Sequence, residues 1–143
     1  MNTAPLATDS LETWLDYWGH VHVTGIDLGL ERVIPVAEKL GVTRPDAKVL
    51  TVAGTNGKGS TTTTLAAILN AQGYKVGLYQ SPHIYHFNER VKLRGVEVDD
   101  QSLVDAFVQV DQARRDCDLS LSFFEATTLA AFVIFKDQAC DVW

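Results

Sequence analysis

The chain has 143 residues, 46% of them apolar and 21% charged, with a formal net charge of −6. That length suffices for one compact domain with a real core, and the acidic balance argues against broad non-specific binding to nucleic acid. No apolar run reaches the roughly 18 residues that mark a membrane span, and the start MNTAPLATDSLETW lacks the basic and apolar regions of a signal peptide, so a cytoplasmic protein is expected.

Residues 1–8 read as a loose tail. Asp9 with Glu12 suggests a capping box for a helix carrying Leu11, Trp14, Leu15 and Trp18 on one face, closed by Gly19. The loop HVHVTGIDLG follows. Leu30, Val33, Ile34, Ala37 and Leu40 mark a second helix closed by Gly41, with Pro35 requiring either a kink or a start later than Leu30. Val49–Ala53 is a short apolar run that reads as a buried strand. A glycine turn leads from it into a helix through Leu65, Ile68 and Leu69, stopped at Gly73, and Lys75–Tyr79 is the next strand. A strand–turn–helix–strand unit of this kind predicts parallel strands joined by a right-handed crossover.

Ser81–Arg90 reads as a loop. Val91, Leu93, Val96 and Val98 flank Arg94-Gly95 as a hairpin would. Asp99 and Asp100 open a helix bearing Leu103, Phe107 and Val110. Phe123–Phe135 is almost continuously apolar and predicts a buried helix, and Asp141-Val142-Trp143 looks like the opening of another strand. Parallel α/β sheets are covered on both faces, so a chain reading this way is expected to be part of a longer protein. Cys117 and Cys140 have no metal-ligand spacing and read as reduced and structural.

The stretch 51-TVAGTNGKGSTTTT-64 carries the chemistry. A strand entering a glycine turn that opens a helix is a geometry for phosphate. Glycines permit positive φ, backbone N–H groups converge on the anion, and the helix start adds partial positive charge. Lys58 can reach terminal phosphates, and hydroxyls at the helix start can meet phosphate or Mg2+. The strict pattern G-x-x-x-x-G-K-[ST] is not met, because position 52 is Val52 and the residue after Lys58 is Gly59.

The variant Gly54-Thr55-Asn56-Gly57-Lys58-Gly59-Ser60 resembles the ATP loop of the Mur ligase superfamily, and within it the folylpolyglutamate synthase/dihydrofolate synthase family. Three further stretches carry the resemblance: IDLGLERV (Ile26–Val33), YQSPHI with NERV (Tyr79–Ile84, Asn88–Val91), and SFFEATTLAAF (Ser122–Phe132). It covers nearly the whole chain from about residue 10. The resemblance implies an α/β fold with a P-loop-type parallel sheet and flanking helices, the central ATP-binding domain of a Mur ligase, truncated here. Residues 1–48 would lead into the domain and 49–143 would form its incomplete ATP-binding part.

The family joins L-glutamate to a folate carboxylate with ATP, through an acyl phosphate. The resemblance therefore implies ATP as substrate with Mg2+ and a monovalent cation. It implies dihydropteroate or a reduced folate as acceptor, no nucleic-acid or membrane partner, and a monomer. Gly54, Thr55, Asn56, Gly57, Lys58, Gly59 and Ser60 would bind ATP, with Lys58 stabilising the γ-phosphate. Ser81 matches the family's magnesium-ligand serine. Ser122, Phe123, Phe124 and Glu125 match the segment that contacts the pteroate. There an aromatic ring would stack on the pterin and Glu125 would accept from its amino groups, although both phenylalanines also suit a helix core. The loop Ile26–Leu30 is a candidate wall of the folate site. Glu89 and Arg90 read as an ion pair ordering their loop, with ligand contact as the alternative, and His83 either as a group near the substrates or as a structural hydrogen-bonding one. His20, His22 and His86 show no ligand geometry. The family's remaining metal ligands and its glutamate-binding domain would lie beyond residue 143, leaving this chain inactive alone. Alternatives are a Mur-type ligase acting on other acids, a nucleotide-binding module without chemistry, and a phosphotransferase. The missing Ser or Thr after Lys58 counts against the last.

Overall fold

A computed structural model describes residues 3–22 and 29–143. The chain divides into two compact units, residues 1–44 with 100–134 and residues 45–99 with 135–143. Residues 100–134 group with the N-terminal helices and not with the glycine turn.

The first unit is helical. Helix α1 (Leu11–Val21) buries Leu11, Trp14, Tyr17 and Trp18. Its N-cap is Ser10, whose Oγ accepts from Thr13 N at 3.2 Å. The expected Asp9 cap is spent elsewhere, on Leu6 N at 2.7 Å. Gly19 does not end α1; the helix continues two residues, since one glycine costs only about 1 kcal/mol in a helix. Helix α2 (Val33–Leu40) starts later than Leu30, as Pro35 requires. Proline is its third residue, where the N–H needs no intrahelical partner. Gly41 closes α2 in the left-handed region, φ 71°. Helix α4 (Asp100–Asp116) turns Leu103, Val104, Phe107 and Val110 inward, and the Phe107 ring stacks on Trp14 at 6.3 Å.

Asp111 is buried in this unit and would be costly alone. Tyr17 Oη donates to its Oδ1 at 2.8 Å, and Arg114 Nε and Arg115 Nε lie 2.8 Å from Oδ1 and Oδ2. One carboxylate thereby meets two guanidinium groups and a phenol, which offsets its desolvation.

The second unit holds helix α3 (Lys58–Ala71), strands β1 (Gly77–Tyr79), β2 (Val91–Leu93) and β3 (Val96–Glu97), and a 3-10 helix Phe87–Arg90. The strands form an antiparallel sheet in the order β1-β2-β3, with Tyr79 opposite Val91 and Leu93 opposite Val96. The predicted hairpin is present, turned by Arg94 and Gly95 at φ 50° and 82°.

The expected parallel sheet is only partly present. Val49–Ala53 forms no strand, and β1 pairs antiparallel. Parallel contact exists as isolated bridges, Lys48 to Val142 and Val76 to Val142. Residues 141–143 lie between the two segments that the sequence pairs directly. Leu50 N donates to Trp143 O at 2.8 Å and Gly77 N to Val142 O at 2.9 Å. Ala66 of α3 packs with Val76 and Val142 beneath this ladder. Gly77 is fixed by packing, since a Cβ there would come within 2.3 Å of the Phe135 ring.

Helix α5 (Phe123–Asp137) realises the predicted apolar helix, belonging to the first unit through Ile134 and lending its last turn to the second. Cys140 is buried and Cys117 half-buried, both as free thiols, and burial pushes the Cys140 thiol up. Among the described residues, no helix is long and apolar enough to cross a membrane.

Candidate functional site

Gly57 is the N-cap of α3 with φ 77°, a left-handed conformation that a side chain would strain. No side chain caps the helix, and its first turn holds no acidic residue. The first intrahelical bond runs from Thr61 N to Gly57 O at 3.0 Å. The N–H groups of Lys58, Gly59 and Ser60 precede it and have no carbonyl to meet within the helix. Gly54 through Ser60 are all exposed. Lys58 Nζ donates to Gly54 O, which folds the ammonium back across the turn. The result is an open, uncapped helix start with a lysine above it, and an anion suits it.

Ser81 lies two residues beyond the end of β1 and is exposed. Gln80, which no sequence motif marks as a site residue, reaches α3: its Nε2 has three acceptors within reach of its two hydrogens, Gly59 O at 3.1 Å, Thr62 Oγ1 at 2.6 Å and Thr63 Oγ1 at 2.9 Å. A loop between a strand and a 3-10 helix offers no periodicity from which such a contact can be read.

The NER stretch orders its loop by other means than the expected ion pair. Glu89 accepts from the N–H groups of Ile84 at 3.0 Å, Tyr85 at 2.6 Å and His86 at 2.8 Å. The Ile84 bond foremost, then those of His86 and Tyr85, lowers its carboxyl from 4.5 to about 2. Arg90 donates to His83 Nδ1 at 2.9 Å and lies over the Phe87 ring. His83 is thus a structural acceptor here.

In the first unit, the pteroate candidates sit at the start of α5. Ser122 N donates to Glu125 Oε2 at 2.8 Å, and Ser122 Oγ accepts from Glu125 N at 3.3 Å, a reciprocal capping box. Arg32 Nη2 donates to Glu125 Oε1 at 2.8 Å. Both Glu125 oxygens are therefore engaged within the chain. Phe124 is 57% exposed while Phe123 is half-buried, so the two rings do not share the core role their sequence allowed. Of the candidate wall Ile26–Leu30, residues 26–28 lie outside the described residues; Leu30 is 61% exposed.

The donor set for a metal is thin. Among the described residues no group of three His, Cys, Asp or Glu side chains is placed to hold a metal ion. Ser60 and Ser81 supply neutral hydroxyls, which fit Mg2+ with its retained waters but make no ligand set by themselves.

No protein-family model matches the chain. The chain is 48% identical over 138 residues to the dihydrofolate synthase/folylpolyglutamate synthase of Escherichia coli K12, covering 96% of this chain and 32% of that protein. Its fold superposes on E. coli FolC in complex with DHPP and ADP with a TM-score of 0.93 at 47% identity, over 97% of this chain and 33% of that one. A bifunctional folylpolyglutamate synthase/dihydrofolate synthase with Mn, AMPPNP and L-glutamate bound gives 0.90 at 46% identity, over 98% and 33%. The chain thus spans about a third of the length of the relatives it matches. By fold it is an α/β protein of the Mur-ligase-like kind. More narrowly, it belongs to the dihydrofolate synthase/folylpolyglutamate synthase family.

Proposed function

We propose that this chain carries the triphosphate site of an ATP-dependent ligase that adds L-glutamate to dihydropteroate, to the glutamate tail of tetrahydrofolate, or to both. One observation carries the reading: the start of α3 is an exposed, uncapped cluster of N–H groups with Lys58 above it, in a chain 48% identical to an enzyme named for both activities.

In this chemistry the acceptor carboxylate attacks the γ-phosphorus, ADP leaves, and an acyl phosphate forms. The amine of glutamate then attacks the acyl carbon and phosphate departs. Bringing a carboxylate to a triphosphate crowds negative charge. Fixed N–H dipoles and an ammonium offset that charge most where it peaks, in the transition state. Lys58 leaves Gly54 O for the γ-phosphate. The N–H groups of Gly59 and Ser60 hold the phosphate chain, with Thr55, Asn56 and Gly57 shaping the turn. Ser60 and Ser81 would hold Mg2+, which supplies further charge neutralisation when bound, and a monovalent cation accompanies it. We read the parallel segments 48–50, 141–143 and 75–77 as part of the P-loop-type sheet of a Mur ligase central domain. The exposed Phe124 ring offers a face for the flat pterin. Ser122, Phe123 and Glu125 fix that ring's position. The substrates are small molecules, consistent with a net charge of −6, and the protein acts as a cytoplasmic monomer.

The test is phosphate release by the intact polypeptide. Release should require ATP together with glutamate and a pteroate or folate. Release with neither acceptor nor glutamate points to a plain ATPase, and absence of saturable binding of adenine nucleotide overturns the reading.

A further inference from the structure

Resting on that reading of α3, we infer that Gln80 is a positioning residue for the phosphate loop, aiming the Ser60 N–H at the nucleotide. Gly59 C=O and Ser60 N–H belong to one rigid peptide plane and point in opposite directions. Whatever holds the Gly59 carbonyl therefore sets the direction of the Ser60 N–H. This peptide needs holding. Lys58 is flanked by Gly57 and Gly59, and no atom apart from their chain neighbours and the backbone of α3 lies within 4 Å of where a Cβ would stand on either glycine. Beyond the geometry of α3 itself and the Thr62 hydroxyl, 3.2 Å from Gly59 O, packing adds no restraint at Gly59, and glycine has the widest conformational freedom of any residue.

Gln80 supplies a further restraint, from outside the helix. Its own backbone is fixed, since Gln80 N donates to Arg90 O at 2.9 Å, continuing the β1–β2 ladder beyond the pair Tyr79–Val91. From that anchor Nε2 reaches Gly59 O at 3.1 Å. A carbonyl only accepts, so the amide nitrogen, and not its oxygen, must face α3. The threonines agree. Thr62 Oγ1 already directs its proton to Lys58 O at 3.0 Å or Gly59 O at 3.2 Å, leaving lone pairs for Gln80 Nε2 at 2.6 Å. The position thus calls for a neutral donor of this length. A carboxylate there would face a carbonyl and stand beside a triphosphate. Gln80 also precedes Ser81 directly, so one residue ties the proposed metal serine to the proposed phosphate turn.

The experiment compares Gln80→Leu and Gln80→Glu in the intact polypeptide. It measures binding of a non-hydrolysable ATP analogue by calorimetry, kcat and KM for ATP, and thermal melting. Gln80→Leu should weaken analogue binding roughly tenfold, the loss of one or two neutral hydrogen bonds. Gln80→Glu should be worse than Gln80→Leu although it matches glutamine in shape, and a residue that merely packs would give the reverse order. Protonating the introduced carboxyl restores a donor, so the Gln80→Glu deficit relative to wild type should narrow between about pH 8 and pH 5. Wild-type-like binding in both variants, or a Gln80→Glu deficit independent of pH, overturns the inference. If Gln80→Leu does not fold, the pH dependence of Gln80→Glu decides alone. A wild-type polypeptide that does not bind the analogue would instead refute the triphosphate reading itself.

Discussion

Helices α3 and α5 begin in opposite ways. The start of α5 supplies its own anion: Glu125 caps Ser122 N, and its second oxygen meets Arg32. The start of α3 has a glycine N-cap, no acid in its first turn and full exposure. Both ends carry the same partial positive charge. At α5 that charge is spent on stability, and at α3 no side chain caps it, which on the function proposed above leaves it for a ligand. The two ends should therefore respond to mutation in different observables.

The largest effect is expected at the closed end. Glu125→Ala removes a capping acid and breaks its ion pair with Arg32, whose side chain is only 17% exposed. Breaking such a buried pair costs about 3–5 kcal/mol, read from urea unfolding. A loss below about 1 kcal/mol would mean that α5 is not closed by this carboxylate. Next comes the open end. Lys58→Ala should lower kcat of the intact polypeptide about 10²- to 10³-fold, the range for removing one electrostatic stabiliser. Its melting temperature should not move, because among the described residues the exposed ammonium donates only to the Gly54 carbonyl. Unchanged turnover would remove Lys58 from the chemistry.

How much of this contrast the sequence carried depends on reach. Local features were legible: Gly41 closing α2, Arg94-Gly95 turning the hairpin, the glycine turn opening α3. Each is written within a few residues. Competition between adjacent caps was not, and Ser10 holds the place that Asp9 was expected to take. Distant partnerships were least legible. Arg32 lies 93 residues from Glu125 and Tyr17 lies 94 from Asp111, so neither partner is signalled locally, whereas the arginines that neutralise Asp111 stand three and four residues on along α4. The parallel ladder failed for the same reason: residues 141–143 enter between two segments that look adjacent along the chain. Gln80 shows the limit at the site itself, since its reach to Gly59 spans 21 residues and leaves no pattern.

A smaller effect tests whether openness at α3 has been kept at a cost in stability. Ser60 is the third residue of the helix, where an acid interacts well with the free N–H groups. Ser60→Asp should stabilise the fold by about 0.3–1 kcal/mol while abolishing binding of an ATP analogue. Opposite signs from one substitution would convert α3 into a helix start like that of α5. A variant that is destabilised, or that still binds, would break the comparison.

The smallest effect concerns a third helix start, that of the 3-10 helix Phe87–Arg90, where Glu89 gathers the N–H groups of residues 84–86. These bonds favour the ionised carboxylate, lowering it from 4.5 to about 2. A depressed folded value means that the carboxylate's contribution is complete above about pH 4.5 and fades as pH falls toward 2. Amide resonances of Ile84, Tyr85 and His86 should therefore titrate together near pH 2. In Glu89→Gln the titration should vanish and exchange of those three amides should quicken. A midpoint near 4.5 would place Glu89 in open solvent, and the exposed pair Ile84 and Tyr85 would then lack the restraint that holds them beside Ser81 in the chain.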